Sequence, residues 1–97
     1  MKRLASIALT ALTLNTAFAE APAVEATCRA CHGVNGAAPI MGAYPKLNGQ
    51  NKEYLVSALK AYKTGQRTGG FAAVMNAQSA NLSEADIEAL AEFYSSK

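Results

Sequence analysis

The sequence predicts a single small all-α domain. Two segments, Asn51 to Thr64 and Ser83 to Tyr94, carry apolar residues at three- and four-residue steps. No segment alternates apolar and polar residues as a half-buried strand does. A length of 97 residues allows one domain, and a chain that is 51% hydrophobic and 16% charged is too apolar to remain disordered. No internal repeat is present.

The first nineteen residues read as an export signal. Lys2 and Arg3 give a basic start, Leu4 to Leu14 is mostly apolar, and Ala17-Phe18-Ala19 has the small-x-small form of a cleavage site. The apolar stretch is shorter than the roughly 17–25 residues of a membrane span, so cleavage is expected rather than anchoring. The expected organisation is a signal peptide over 1–19 and a mature domain over 20–97, with no stable membrane insertion. The formal charge of +2 is too mild for a nucleic-acid partner, and it disappears on cleavage: seven basic residues then face seven acidic ones. A mature chain this short needs a staple or a cofactor to complete its core.

Residues 21 to 31 predict a short helix, with Pro22 in its first turn and Val24, Thr27 and Cys28 on one face. Gly33 and Gly36 end it. Residues 33 to 49 hold four glycines and two prolines and predict a long loop, a length that calls for a function. The helix over 51 to 64 follows, with Leu55, Ala58, Leu59 and Tyr62 on its apolar face and Gly65 as its stop. Gly69-Gly70 marks a turn, and residues 71 to 80 predict a short helix that presents Met75. In the last helix Ser83 is a good N-cap and forms a capping-box pattern with Asp86. Its buried stripe is Ile87, Leu90, Ala91 and Tyr94.

The two cysteines and the single histidine fall together as Cys28-Arg29-Ala30-Cys31-His32. C-x-x-C-H is the attachment motif of haem c. In a helical turn, two thiols three residues apart can each add to one of two neighbouring vinyl groups on a haem edge. The histidine that follows then lies under the porphyrin face and can ligate iron. Other chemistries fit less well. No βαβ pattern surrounds the pair as in a thioredoxin-like site. A Cys28–Cys31 disulfide would close too short a loop to stabilise much. Zinc would require a second ligand cluster, which the sequence lacks. One covalently attached haem c is therefore expected, held by Cys28 and Cys31 with His32 on the iron.

A sixth ligand makes the haem an electron carrier, whereas an open position would bind small molecules. Apart from the initiator, the methionines are Met41 and Met75. Met41 lies nine residues past His32, in the segment leaving the histidine side, and is expected to fill the core. Met75 lies 43 residues past His32, far enough to reach the opposite face, and is the expected ligand. A thioether favours ferrous iron and raises the potential. That suits a carrier fed by quinol-level donors or dehydrogenases and drained by an oxidase or reductase.

Three stretches together resemble a class I cytochrome c of the short, single-haem bacterial kind: Cys28 to Gly33, Tyr44-Pro45-Lys46-Leu47-Asn48-Gly49-Gln50, and Met75 ahead of Leu82 to Tyr94. The resemblance covers essentially the whole mature chain. It implies four to five short helices wrapped around one covalently bound haem. It also implies that the Pro45 carbonyl accepts the ring N–H of His32, that Leu47 packs on the haem, and that Phe93 or Tyr94 sits where the first and last helices cross near Gly33.

The expected function is one-electron transfer between transient respiratory partners in the periplasm, by a monomer that is not an enzyme. The alternatives are a haem subunit of a larger dehydrogenase, or a small-ligand-binding haem protein in which Met75 leaves the iron. Residues 28–67 carry six basic residues against Glu53, and residues 68–97 carry four acidic residues against Lys97. This asymmetry reads either as neighbouring faces that neutralise each other or as a dipole, with Lys60, Lys63 and Arg67 steering a partner.

Overall fold

The computed structural model describes residues 20–97; the export-signal expectation concerns residues that lie outside them. Among the described residues four α-helices form the fold: α1 (Glu25–His32), α2 (Lys52–Thr64), α3 (Ala72–Ser79) and α4 (Glu84–Ser95). A 3₁₀ turn spans Val34–Gly36, and no strand occurs among the described residues.

Helix α4 is the spine of the core. Ile87, Leu90, Ala91, Phe93 and Tyr94 are buried on it, joined by Leu55 of α2 and Leu82 before α4. The stripe expected from the sequence is all present, with Phe93 added. Ile87 and Leu90 are essentially inaccessible, and burying each contributes about 1.5–3 kcal/mol. Val24, Cys28, Leu47, Val56 and Leu59 pack against this cluster from three other segments.

The capping box at Ser83 is complete. Ser83 Oγ accepts from the Asp86 N–H at 3.0 Å, and Asp86 Oδ2 accepts from the Ser83 N–H at 2.9 Å. Ser83→Ala removes half of it and should destabilise the protein by about 1 kcal/mol. A shift in the denaturant midpoint checks this; an unchanged midpoint contradicts it. At α2, Asn51 is the cap rather than the first helical residue, its side chain accepting from the Tyr54 N–H at 3.1 Å.

Helix α1 begins later than its sequence pattern suggests. The Pro22 carbonyl accepts the Glu25 N–H at 2.9 Å in a turn, and the helix starts at Glu25 and runs through His32. Thr27 is more exposed than Val24 and Cys28, its hydroxyl donating to the Val24 carbonyl, but it lies beside Cys28 on the cleft. Met41 is 40% exposed and is not core filler, because the loop holds it away from α4 and α2. The aromatic expected where the first and last helices cross is Tyr94: it bonds to Glu25 of α1, and a Cβ at Gly36 would come within 3.0 Å of its ring.

The charges of α2 and α4 meet rather than forming opposite poles. Lys52 Nζ lies 3.5 and 3.1 Å from Glu88 and Glu92, and Lys60 Nζ lies 3.4 Å from Glu84. Lys63 donates to the Leu82 carbonyl, and the Arg67 guanidinium stacks 4.7 Å from the Tyr62 ring centre. The proposed steering cluster of Lys60, Lys63 and Arg67 is thus engaged within the molecule. These exposed ion pairs are screened by salt and add little to stability.

Candidate haem site

The end of α1 and the loop after it build one side of a cleft. Gly33 and Gly36 both have positive φ and let the chain reverse under the helix. The Ile40 N–H donates back to the Cys31 carbonyl at 3.0 Å, and the Gly36 carbonyl accepts from the Leu47 N–H at 2.9 Å. This return brings Pro45 beneath the histidine. His32 is buried, and its Nδ1 lies 2.8 Å from the Pro45 carbonyl oxygen. A carbonyl only accepts, so Nδ1 carries the proton and Nε2 keeps its lone pair for a metal.

Two lobes of about 500 and 510 Å³, counting space open to solvent, meet at Cys28, His32, Pro45 and Met75. One is lined further by Thr27, Cys31, Ala43, Tyr44, Phe71, Val74 and Gln78. The other is lined further by Leu47, Leu55, Ala58, Leu59, Leu90 and Tyr94. The walls of both lobes are mostly hydrocarbon and aromatic, as the lining of a cofactor site is. Tyr44 links the histidine to α3: its ring centre lies 6.1 Å from His32 and 6.1 Å from Phe71, the latter edge-on.

The donor set fits a covalently held haem. Cys28 and Cys31 form no disulfide and lie half-buried at the cleft. Burial pushes the Cys28 thiol up from its ordinary value, a nearby hydroxyl at Thr27 partly opposing this. The cleft is apolar, its histidine is oriented, and a thioether lies on its lining. Among the described residues, no cluster of three or more His, Cys, Asp and Glu side chains is placed to hold a bare metal ion. All six residues assigned from the sequence line this one cleft: Cys28, Cys31, His32, Pro45, Leu47 and Met75.

Two features escaped the sequence reading. Glu25 is 1% exposed, accepting from the Tyr94 hydroxyl at 2.8 Å and from the Arg29 guanidinium at 2.6 Å. It joins the cysteine-bearing helix to α4, and no local pattern marks it. Asn76 bonds to the end of α2, and its signal was available: it is the only polar residue in Phe71 to Ala77.

The sequence profile of the cytochrome c family matches residues 19–96. Cytochrome c-554(548) of Halomonas halodenitrificans is 51% identical over 73 residues, covering 73% of this chain and 84% of that protein. The thiosulfate dehydrogenase electron acceptor of Thiomonas intermedia is 38% identical over 80% of this chain, and cytochrome c4 of Azotobacter vinelandii is 36% identical over 68%. The matches span only 35% and 32% of those two longer proteins. From the attachment motif, the all-helical fold and these matches, the chain belongs to the cytochrome c family: it carries one covalently bound haem c and works by haem-mediated electron transfer.

Proposed function

We propose that residues 20–97 form a free periplasmic electron carrier, delivered by the export signal over 1–19, whose iron is ligated by His32 and Met75. The observation that carries this reading is the convergence of an oriented imidazole, a thioether and two cysteine side chains on one apolar cleft. Bound there, the haem supplies a reversible one-electron couple. Cys28 and Cys31 anchor it to α1. The Pro45 carbonyl fixes the His32 ring and makes Nε2 a stronger donor. Met75 is a soft ligand that favours the ferrous state. Leu47, Leu55, Leu59 and Leu90 keep water from one lobe.

The lining also argues for a carrier over an enzyme. Apart from His32, no His, Arg, Lys, Asp or Glu among the described residues lines either lobe. Arg67, the arginine nearest Met75 in sequence, stacks on Tyr62 instead. Among the described residues, acid–base chemistry on a bound peroxide therefore finds no second His and no Arg in the lining. The name of the Thiomonas relative describes an acceptor of electrons from a dehydrogenase, which is the same role. No helix among the described residues is long and apolar enough to cross a membrane.

An optical redox titration and a Met75→Ala variant test the reading together. The wild type should titrate as one one-electron wave and show the ferric charge-transfer band of Met–iron ligation. Met75→Ala should lose that band and bind CO readily when reduced. A variant that keeps the wild-type spectrum and refuses CO would remove Met75 as ligand.

A further inference from the structure

Helix α3 has little of its own to hold it. It is eight residues long, no side chain caps its N-terminus, and Ser79 is its only buried residue. A helix so short is unstable in isolation. The segment before it, Gly65 to Phe71, is exposed throughout. Yet α3 carries Met75 on the cleft.

One side chain ties this helix down. Asn76 Nδ2 lies 2.8 Å from the Tyr62 carbonyl oxygen in the last turn of α2, and 2.9 Å from the Arg67 carbonyl oxygen in the loop. Both neighbours are acceptors, so the amide can face them only with its NH₂, and both of its hydrogens are used. Among the described residues these are the only side-chain hydrogen bonds that leave α3; Ser79 Oγ donates within it, to the Met75 carbonyl at 2.6 Å. The carbonyls that Asn76 grips are fixed in turn. The Arg67 N–H donates to Ala61 at 3.1 Å, the Gly65 N–H shares the Tyr62 carbonyl at 3.3 Å, and the Arg67 guanidinium lies over the Tyr62 ring. The clamp therefore joins a well-anchored helix end to the residue next to Met75.

We propose that Asn76 is a positioning residue for the iron ligand: its two bonds to Tyr62 and Arg67 hold α3 so that Met75 stays on the iron against competing ligands. The proposal rests on Met75 being that ligand. Each neutral hydrogen bond is worth about threefold to tenfold in an equilibrium constant. Loss of both shifts the balance between bound and released Met75 by about tenfold or more. Asn76→Asp keeps the size of the side chain but turns a carboxylate oxygen toward two carbonyls, so it should act more strongly than Asn76→Ala.

The test is a titration of the ferric haem-loaded protein with imidazole, followed optically, because imidazole binds only as Met75 leaves. Asn76→Ala should raise the apparent imidazole affinity about tenfold, and Asn76→Asp further. Asn76→Ser, the mildest change, serves if the aspartate variant does not accumulate. Ile87→Val, a core variant remote from the clamp, should lower stability while leaving imidazole affinity within about twofold, which separates positioning from general loosening. Met75→Ala should bind imidazole far more tightly than the wild type. If it does, while the Asn76 variants match the wild type, the clamp is wrong and the ligand assignment stands. If Met75→Ala itself matches the wild type, the ligand assignment fails and the clamp with it.

Discussion

Gly33→Ala should lower the stability of the haem-loaded protein by about 4 kcal/mol, against a total of about 5–15 kcal/mol for a domain. Two effects add. Gly33 has φ 82° and ψ 170°, a region essentially closed to residues with a Cβ and costing about 1–3 kcal/mol to occupy. A Cβ there would also overlap the Ala38 carbonyl oxygen and lie 2.7 Å from its carbon. Backbone atoms must then move. Neighbouring hydrogen bonds resist this: Ala37 donates to Val34 at 3.1 Å and Ile40 to Cys31 at 3.0 Å. The same return carries Pro45 to His32, so the strain reaches the ligand. Guanidinium unfolding of the haem-loaded variant measures the loss, and a change below about 1 kcal/mol would contradict this account. Gly36→Ala should be less severe, since its Cβ would meet a side-chain carbon of Leu47 at 2.7 Å and the Tyr94 ring at 3.0 Å, not a carbonyl.

Tyr94→Phe should cost about 1–3 kcal/mol at neutral pH, because it leaves Glu25 Oε1 buried without its hydroxyl donor. It should also change the response to alkali. Burial, reinforced by the hydrogen bond to Glu25, pushes the Tyr94 phenol far above its ordinary value of 10.0. The folded protein therefore keeps this proton where the unfolded chain releases it. The contribution of Tyr94 is complete below pH 10 and declines as pH rises past it, by about 1.4 kcal/mol per pH unit. Tyr94→Phe should lack this component, so its stability should fall less steeply above pH 10. Parallel curves for the two proteins would contradict the assignment.

The sequence carried much of this fold because its strongest signals are local. Ser83 and Asp86 cap α4 through partners three residues apart, and Ile87, Leu90, Ala91 and Tyr94 mark the buried face by spacing alone. Cys28, Cys31 and His32 are legible because haem attachment requires them side by side. What was hidden depends on distance. Glu25 opens a helix and reads as an exposed acid suited to the dipole. Its burial follows from Tyr94, which is 69 positions away. The charge asymmetry left two readings open for the same reason, and the neutralising one holds because Lys52 and Lys60 meet Glu84, Glu88 and Glu92 once α2 lies against α4. Met41 looked like a core residue by type, and only the path of the loop shows that it faces outward.

The Glu25–Tyr94 bond also imposes an order of events. No chain that stops before Tyr94 can close it. In synthesis from the N-terminus, the segment bearing Cys28, Cys31 and His32 is finished long before its closing partner exists. The bond therefore forms only once the last helix has been made, and it ties that helix to the one that carries both cysteines. The last helix thus fastens the first by a contact that neither can make alone.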